Sequence, residues 1–105
     1  MGKAKPIKVG DITYSTKGDA TAFYRAMLNR YRPGDIVSAE DQQALIGLIQ
    51  WHPDSKEKIG PGILEIGVMH ADFNTQCFKL TRVDGSTEDF SYVECIRNAE
   101  PEVQK

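Results

Sequence analysis

The clearest alternation of apolar and polar positions lies in the second half of the chain. Ile63 to Met69 is an apolar, β-branched run of strand length. Gln76 to Val83 alternates, with Phe78 and Leu80 on one face and Lys79 and Thr81 on the other. Asp84-Gly85 is the strongest short hairpin signal in the chain, and it predicts a two-residue turn into Thr87 to Phe90 with Gly85 at positive φ. Ser91 then opens a helix. Ser91 and Glu94 have capping-box spacing, and Phe90 is placed to staple onto Cys95. The stretch from His52 to Ile96 holds the densest turn chemistry, both histidines and both cysteines.

The first half reads as a β element followed by two helices. Ile7 and Val9 alternate, as do Ile12 and Tyr14, and Gly10-Asp11 interrupts them. That is either one bulged strand or a small hairpin with a Gly-first turn. Thr16 and Asp19 have cap spacing for a helix running to about Tyr31. Ala20, Phe23, Met27 and Tyr31 form its apolar stripe, widened by Tyr24 and Leu28, while Arg25, Asn29 and Arg32 fall together elsewhere. Pro33-Gly34 ends this element. Ser38 and Asp41 repeat the cap spacing, and Leu45, Leu48 and Ile49 give the second helix an apolar face that His52 continues. Pro53 stops the helix, because proline biases the preceding residue away from the α region. Lys56 to Lys58 reads as a short charged loop, and Gly60-Pro61-Gly62 as a turn. Residues 1–5 and 100–105 read as flexible tails.

The fold class expected is α+β. A small antiparallel sheet, made of the N-terminal β element and a three-strand meander, is covered by two helices, with a short C-terminal helix. The length of 105 residues fits one domain with a core that needs no covalent staple.

Charge narrows the classes of partner. The formal net charge is −2, so no global field draws the chain onto nucleic acid or membrane. Any contact with nucleic acid has to be a local patch. Two cysteines in a chain without a signal-peptide pattern suit a reducing cytoplasm and two free thiols, against the alternative of one strand-to-helix disulfide. No apolar run approaches membrane-spanning length, so no membrane partner is expected. No pattern fixes an oligomeric state.

Candidate chemistry is sparse. His52, His70, Cys77 and Cys95 are possible metal ligands in type, but no local spacing brings two of them together, and no metal or cofactor is expected. Cys77 or Ser91 with a histidine would make a nucleophilic dyad, yet Ser91 has a capping role and strand burial would keep Cys77 inert. Asp84, Glu88 and Asp89 flank the hairpin, with Asp72 in a neighbouring loop. Such acids can hold Mg²⁺, although a solvated turn is the commoner reason for them. Asp89 is placed to accept backbone N–H groups at the following helix or to pair with Lys58 or Arg82. His52-Pro53 reads as a helix stop, with an imidazole in the last turn. Lys58-Ile59-Gly60 with Gly62 reads as a loop of close backbone approach whose N–H groups suit an anion. Phe78, Phe90 and Tyr92 are of the type that stacks on RNA bases, with Phe78 and Phe90 claimed by the core.

The compound pattern His52-Pro53, Lys58-Ile59-Gly60-x-Gly62, Phe73-x-x-x-Cys77, Arg82-x-Asp84-Gly85 and Asp89-Phe90-Ser91-Tyr92-x-x-Cys95 resembles the DCL family. That family is named for the plant "defective chloroplasts and leaves" proteins, and its short bacterial relatives are grouped as a domain of unknown function. The plant pattern carries basic residues before each cysteine, where this chain has Gln76 and Glu94. The resemblance implies a link to ribosomal RNA maturation, and a similar domain ends the largest subunits of plant-specific RNA polymerases. It implies no catalytic residue. The expected function is therefore a non-catalytic binding module in RNA metabolism, with RNA or a protein of an RNA-processing complex as partner. Its binding residues would be His52, Lys58, Gly60, Gly62, Arg82, Asp89 and Tyr92. The competing classes are a small metal-dependent hydrolase or nuclease and a protein–protein adaptor.

Overall fold

The computed structural model describes residues 6–10 and 12–99, so the expected tails lie outside the described residues. The elements are β1 (Ile7–Val9), β2 (Ile12–Tyr14), α1 (Lys17–Asn29), α2 (Ala39–Ile49), α3 (Ser55–Ile59), β3 (Ile63–His70), β4 (Gln76–Arg82), β5 (Thr87–Phe90) and α4 (Tyr92–Asn98). The α+β class holds, and the meander β3-β4-β5 is antiparallel throughout. The N-terminal β element resolves as a hairpin, β1 pairing with β2 through Gly10 at φ 61°, and it stands as its own two-stranded sheet.

All three cap spacings are realised. The hydroxyls of Thr16, Ser38 and Ser91 accept the backbone N–H of Asp19, Asp41 and Glu94 at 3.0, 3.1 and 3.2 Å. Each cap satisfies an amide that its helix cannot. The first helix stops at Asn29, two residues short of the expected end. Its buried stripe is Ala20, Tyr24, Met27 and Leu28, whereas Phe23 stays 39% exposed at the edge of a cluster with Tyr14 and Tyr24.

The core lies between the helices and one face of the meander. Ile66 and Val68 on β3 pair with Leu80 and Phe78 on β4, and Phe78 pairs in turn with Phe90, their rings stacked at 5.8 Å. All five are buried, as are Cys95 and Ile96 from α4 and Leu45, Leu48 and Ile49 from α2. Helix α4 is tied to both long helices at its C-terminal end. Lys17 Nζ donates to Arg97 O at 2.8 Å, and Asn98 Nδ2 donates to Trp51 O at 2.7 Å. The start of α2 is tied to the end of α1 through Asp41, which accepts from Arg30 and from the Tyr31 hydroxyl.

Three local expectations change. Residues 56–58 lie in helix α3 rather than a loop, because the Lys58 N–H reaches Asp54 O and the Gly60 N–H reaches Lys56 O, both at 2.9 Å. The β4–β5 connection is a three-residue loop, Val83 to Gly85, rather than a two-residue turn. The Gly85 N–H donates to Arg82 O at 2.9 Å and the Arg82 N–H to Ser86 O at 2.8 Å, with Gly85 at φ 89° as expected. This is a turn closed by a glycine bulge, the next commonest hairpin solution. Finally, Cys77 is only half-buried, while Cys95 is buried, and both thiols are free.

One close approach was not legible in the sequence. The segment after α1 runs along the outer edge of β3. The Gly34 N–H donates to Val68 O, the Val68 N–H to Asp35 O and the Val37 N–H to Ile66 O, at 2.8, 3.0 and 2.9 Å. It crosses so near Gly67 that a Cβ there would sit 2.5 Å from Asp35 O. The edge that β3 would otherwise present is thereby covered. Gly67→Ala should destabilise the protein by about 1–3 kcal/mol in chemical denaturation, since a hydrogen-bonded backbone has to shift. Gly85→Ala, strained in φ with open space around it, should cost about 1 kcal/mol. Wild-type stability in the Gly67 variant would contradict this packing.

Candidate functional site

The motif residues separate into two groups at opposite ends of the meander. The first group surrounds Arg82. Alternation along β4 places Phe78, Leu80 and Arg82 on the core side, so the strand ends with a guanidinium tucked under α3. Its Nε donates to Lys58 O at 2.8 Å, and its two terminal nitrogens reach Ser86 Oγ at 3.0 Å, Glu88 at 3.1 Å and Glu57 O at 3.3 Å. Lys58 Nζ donates to the same Glu88 carboxylate at 3.3 Å and to Asp89 O at 2.7 Å. Only 13% of the Arg82 side chain and 18% of the Lys58 side chain remain exposed.

The partner of both cations is thus Glu88 and not Asp89. Glu88 shares the core-side face of β5 with Phe90, whereas Asp89 points to the other face, beside Lys79. Sequence reasoning picked the family-motif acid, although the period of two along β5 selects its neighbour. Hydrogen bonds from Lys58 and then Arg82 hold the Glu88 carboxyl below its ordinary range. The Asp84 carboxyl is lowered by Ser86, whose hydroxyl and backbone N–H it accepts at 2.6 and 3.0 Å.

Gly60 belongs to this group for a steric reason. It sits at φ 56°, and a Cβ there would lie 3.0 Å from Arg82 Cδ. Gly62 follows at φ 131°, and its carbonyl accepts the Val83 N–H at 3.0 Å. His52 closes α2 from inside. It is 6% exposed, and its Nδ1 accepts the Asp54 N–H at 2.9 Å, which places the ring proton on Nε2.

The second group lies at the far end of the meander. Leu28, Ala71, Gln76, Cys77, Asp89, Phe90, Ser91 and Tyr92 line a cleft of about 210 Å³. Gln76 Nε2 fixes its position by donating to Leu28 O and Tyr31 O, at 2.7 and 2.8 Å, which stitches the β3–β4 loop to the end of α1. Tyr92 packs edge-on to Phe78 with 6.3 Å between ring centroids. Next to the cleft, Phe73 is 94% exposed and adopts φ 60°, ψ 40°. Asn74 beside it also has positive φ, at 59°. Arg25 on α1 and Arg32 in the segment after it are exposed, and neither makes an ion pair among the described residues.

The arrangement offers little for covalent chemistry. Burial, and secondarily the Asp89 charge, pushes the Cys77 thiol up, and burial followed by Glu94 pushes Cys95 up to about 12. Neither is an activated thiolate. Among the described residues, no group of three or more His, Cys, Asp or Glu is placed to hold a metal ion. No helix among them is long and apolar enough to cross a membrane.

Residues 25–96 match the family described as "Protein of unknown function (DUF3223)", and the chain belongs to that family. The resemblance to DCL proteins also holds: the chain is 41% identical over 80 residues to "Protein DCL, chloroplastic" of Solanum lycopersicum, covering 71% of this chain and 36% of that protein. It is 36% identical over 76 residues to "DNA-directed RNA polymerase IV subunit 1" of Arabidopsis thaliana, covering 71% of this chain and 5% of that subunit. The chain thus spans only a minor part of these relatives. An uncharacterized protein from Rhodospirillum rubrum, solved by solution NMR, superposes with a TM-score of 0.83 at 50% identity, covering 90% of this chain and 91% of that one.

Two outcomes test the Arg82 group. Arg82→Lys should be nearly as destabilising as Arg82→Ala, because an ammonium cannot reproduce the planar fork, and either should cost about 2 kcal/mol or more in denaturant unfolding. Glu88 sets a pH dependence. Its folded-state pKa is lowered, so its contribution is complete above the unfolded carboxylate value and is lost as pH falls through the folded one. Glu88→Gln should therefore flatten the acid limb of the stability profile below about pH 4.5 relative to wild type.

Proposed function

We propose that the protein is a non-catalytic binding module of RNA metabolism. It meets single-stranded RNA where the end of α1, the β3–β4 loop and the β5–α4 corner come together. The observation that carries this reading is Phe73. An aromatic ring in water on a left-handed backbone costs about 1–2 kcal/mol that glycine or asparagine would avoid. Strain of this kind persists where function needs the side chain. A bare ring, taken with the exposed cations Arg25 and Arg32, supplies the two elements of single-strand binding, a stacking platform and phosphate contacts. The name of the polymerase subunit among the relatives supports RNA as the partner class.

The loop 56–62 with Arg82 is a weaker candidate face. Most donors of Lys58 and Arg82 are directed at carbonyls and Glu88. His52 is buried, and Gly60 and Gly62 are explained by their backbone geometry. Asp89 and Tyr92 stay in the binding reading, because they line the open cleft.

With a net charge of −2, binding should be local and its salt slope shallow, at about −0.7 per phosphate neutralised on a single strand. The decisive variant is Phe73→Gly. Its thermal stability should equal or exceed that of wild type, while its affinity for single-stranded RNA falls about tenfold, the loss of one stacked base. Unchanged affinity would exclude Phe73 as the platform. Arg25→Ala should weaken all sequences alike and make the salt slope shallower by about one contact.

A further inference from the structure

We propose that the cleft beside Asp89 receives the base of one unpaired guanine and reads its Watson–Crick edge with the Asp89 carboxylate, an inference that rests on the RNA-binding reading above. At about 210 Å³ the cleft is smaller than an ordinary drug-sized pocket, roughly 300–1,000 Å³, and suits one planar heterocycle. Its walls are largely apolar, with Leu28, Phe90 and Tyr92 contributing, and the nearby polar groups are mostly engaged. The Gln76 amide nitrogen is held by two carbonyls of the α1 terminus, and Ser91 Oγ accepts the Glu94 N–H.

Asp89 is not engaged in this way. It is exposed, and its carboxylate makes no hydrogen bond or ion pair among the described residues. Lys79 is its cross-strand neighbour, yet the two do not form an ion pair. Asp89 lines the cleft together with Cys77, Ser91 and Tyr92. An ionised carboxylate is acceptor-only, with two oxygens side by side. Guanine presents N1–H and the 2-amino group as adjacent donors and matches that pair. Adenine and cytosine each set one amino donor beside a ring-nitrogen acceptor, which a carboxylate repels. Uracil sets its single N–H between two carbonyls. Bases splayed from a single strand are read on this edge while they stack on aromatic rings, and Phe73 on the neighbouring loop stands available to a flanking base.

The test uses the full chain and single-stranded U-rich RNA oligomers that differ at one central position, carrying G, A, C, U or inosine. Fluorescence anisotropy at low salt is measured for wild type and Asp89→Asn. Wild type should prefer the G oligomer by about tenfold, the discrimination of a modest bidentate pair. Inosine, which keeps N1–H but lacks the amino group, should fall between G and the rest. Asp89→Asn should level the five. Equal wild-type binding to all five, or a G preference that survives Asp89→Asn, overturns the guanine inference and leaves the RNA-contact reading standing. Failure of wild type to bind any oligomer removes both.

Discussion

The guanidinium of Arg82 joins three pieces of chain that local interactions alone would not hold together. Helix α3 is a single turn with no side-chain cap, far below the length at which an isolated helix is stable. The fork of Arg82 supplies donors to two carbonyls of that turn, Glu57 O and Lys58 O. The same side chain reaches Ser86 in the hairpin and Glu88 on β5. A charge placed on the core side of a strand is tolerable only when its donors are satisfied. No buried side-chain nitrogen or oxygen among the described residues lacks a partner, so this condition is met.

This constraint accounts for much of the residue pattern between His52 and Gly85 of this chain. Gly60 leaves room for the arginine stem, and Asp84 and Gly85 shape the loop that brings Ser86 into reach. Lys58 closes the circuit on Glu88 and on the β5 backbone. His52 and Asp54 set the start of the same turn from the other side. Residues that look like an anion-binding loop in the sequence are, in three dimensions, a brace. The other end of the sheet is built differently, with an exposed ring, free cations and an open cleft. The two ends are joined through β5, where Lys58 of the brace donates to the backbone oxygen of Asp89, a residue of the cleft.

Features with a short-range cause were legible in the sequence. Ser and Thr caps act three residues ahead, strand faces alternate with period two, and the apolar runs gave the core strands and helices correctly. Features that depend on contacts distant in sequence were not. Helix α3 has no periodicity to read, because its stability comes from Arg82, more than twenty positions away. The hairpin gained a residue because Ser86 is held by Asp84 and faces Arg82, a cost no turn propensity includes. Alternation along β5 marks Glu88 as the core-side acid, whereas the motif draws attention to Asp89. Phe73 was noted only as part of a pattern; a bulky residue followed by Asn between two strands gave no warning of a left-handed backbone. The edge covering of β3 by residues 34–37 left one trace, the glycine at position 67 in the middle of the strand.

Arg82 holds α3 against the sheet beyond what the packing of Ile59 on the core supplies. Native-state hydrogen exchange measures this directly, residue by residue. In Arg82→Ala, the amides of Lys58, Gly60 and Gly62 should exchange by local opening and lose far more protection than those of Phe78 and Leu80 in the same molecule. If the α3 amides stay as protected in the variant as in wild type, relative to the β4 amides, the turn is stable without the arginine and the account is wrong.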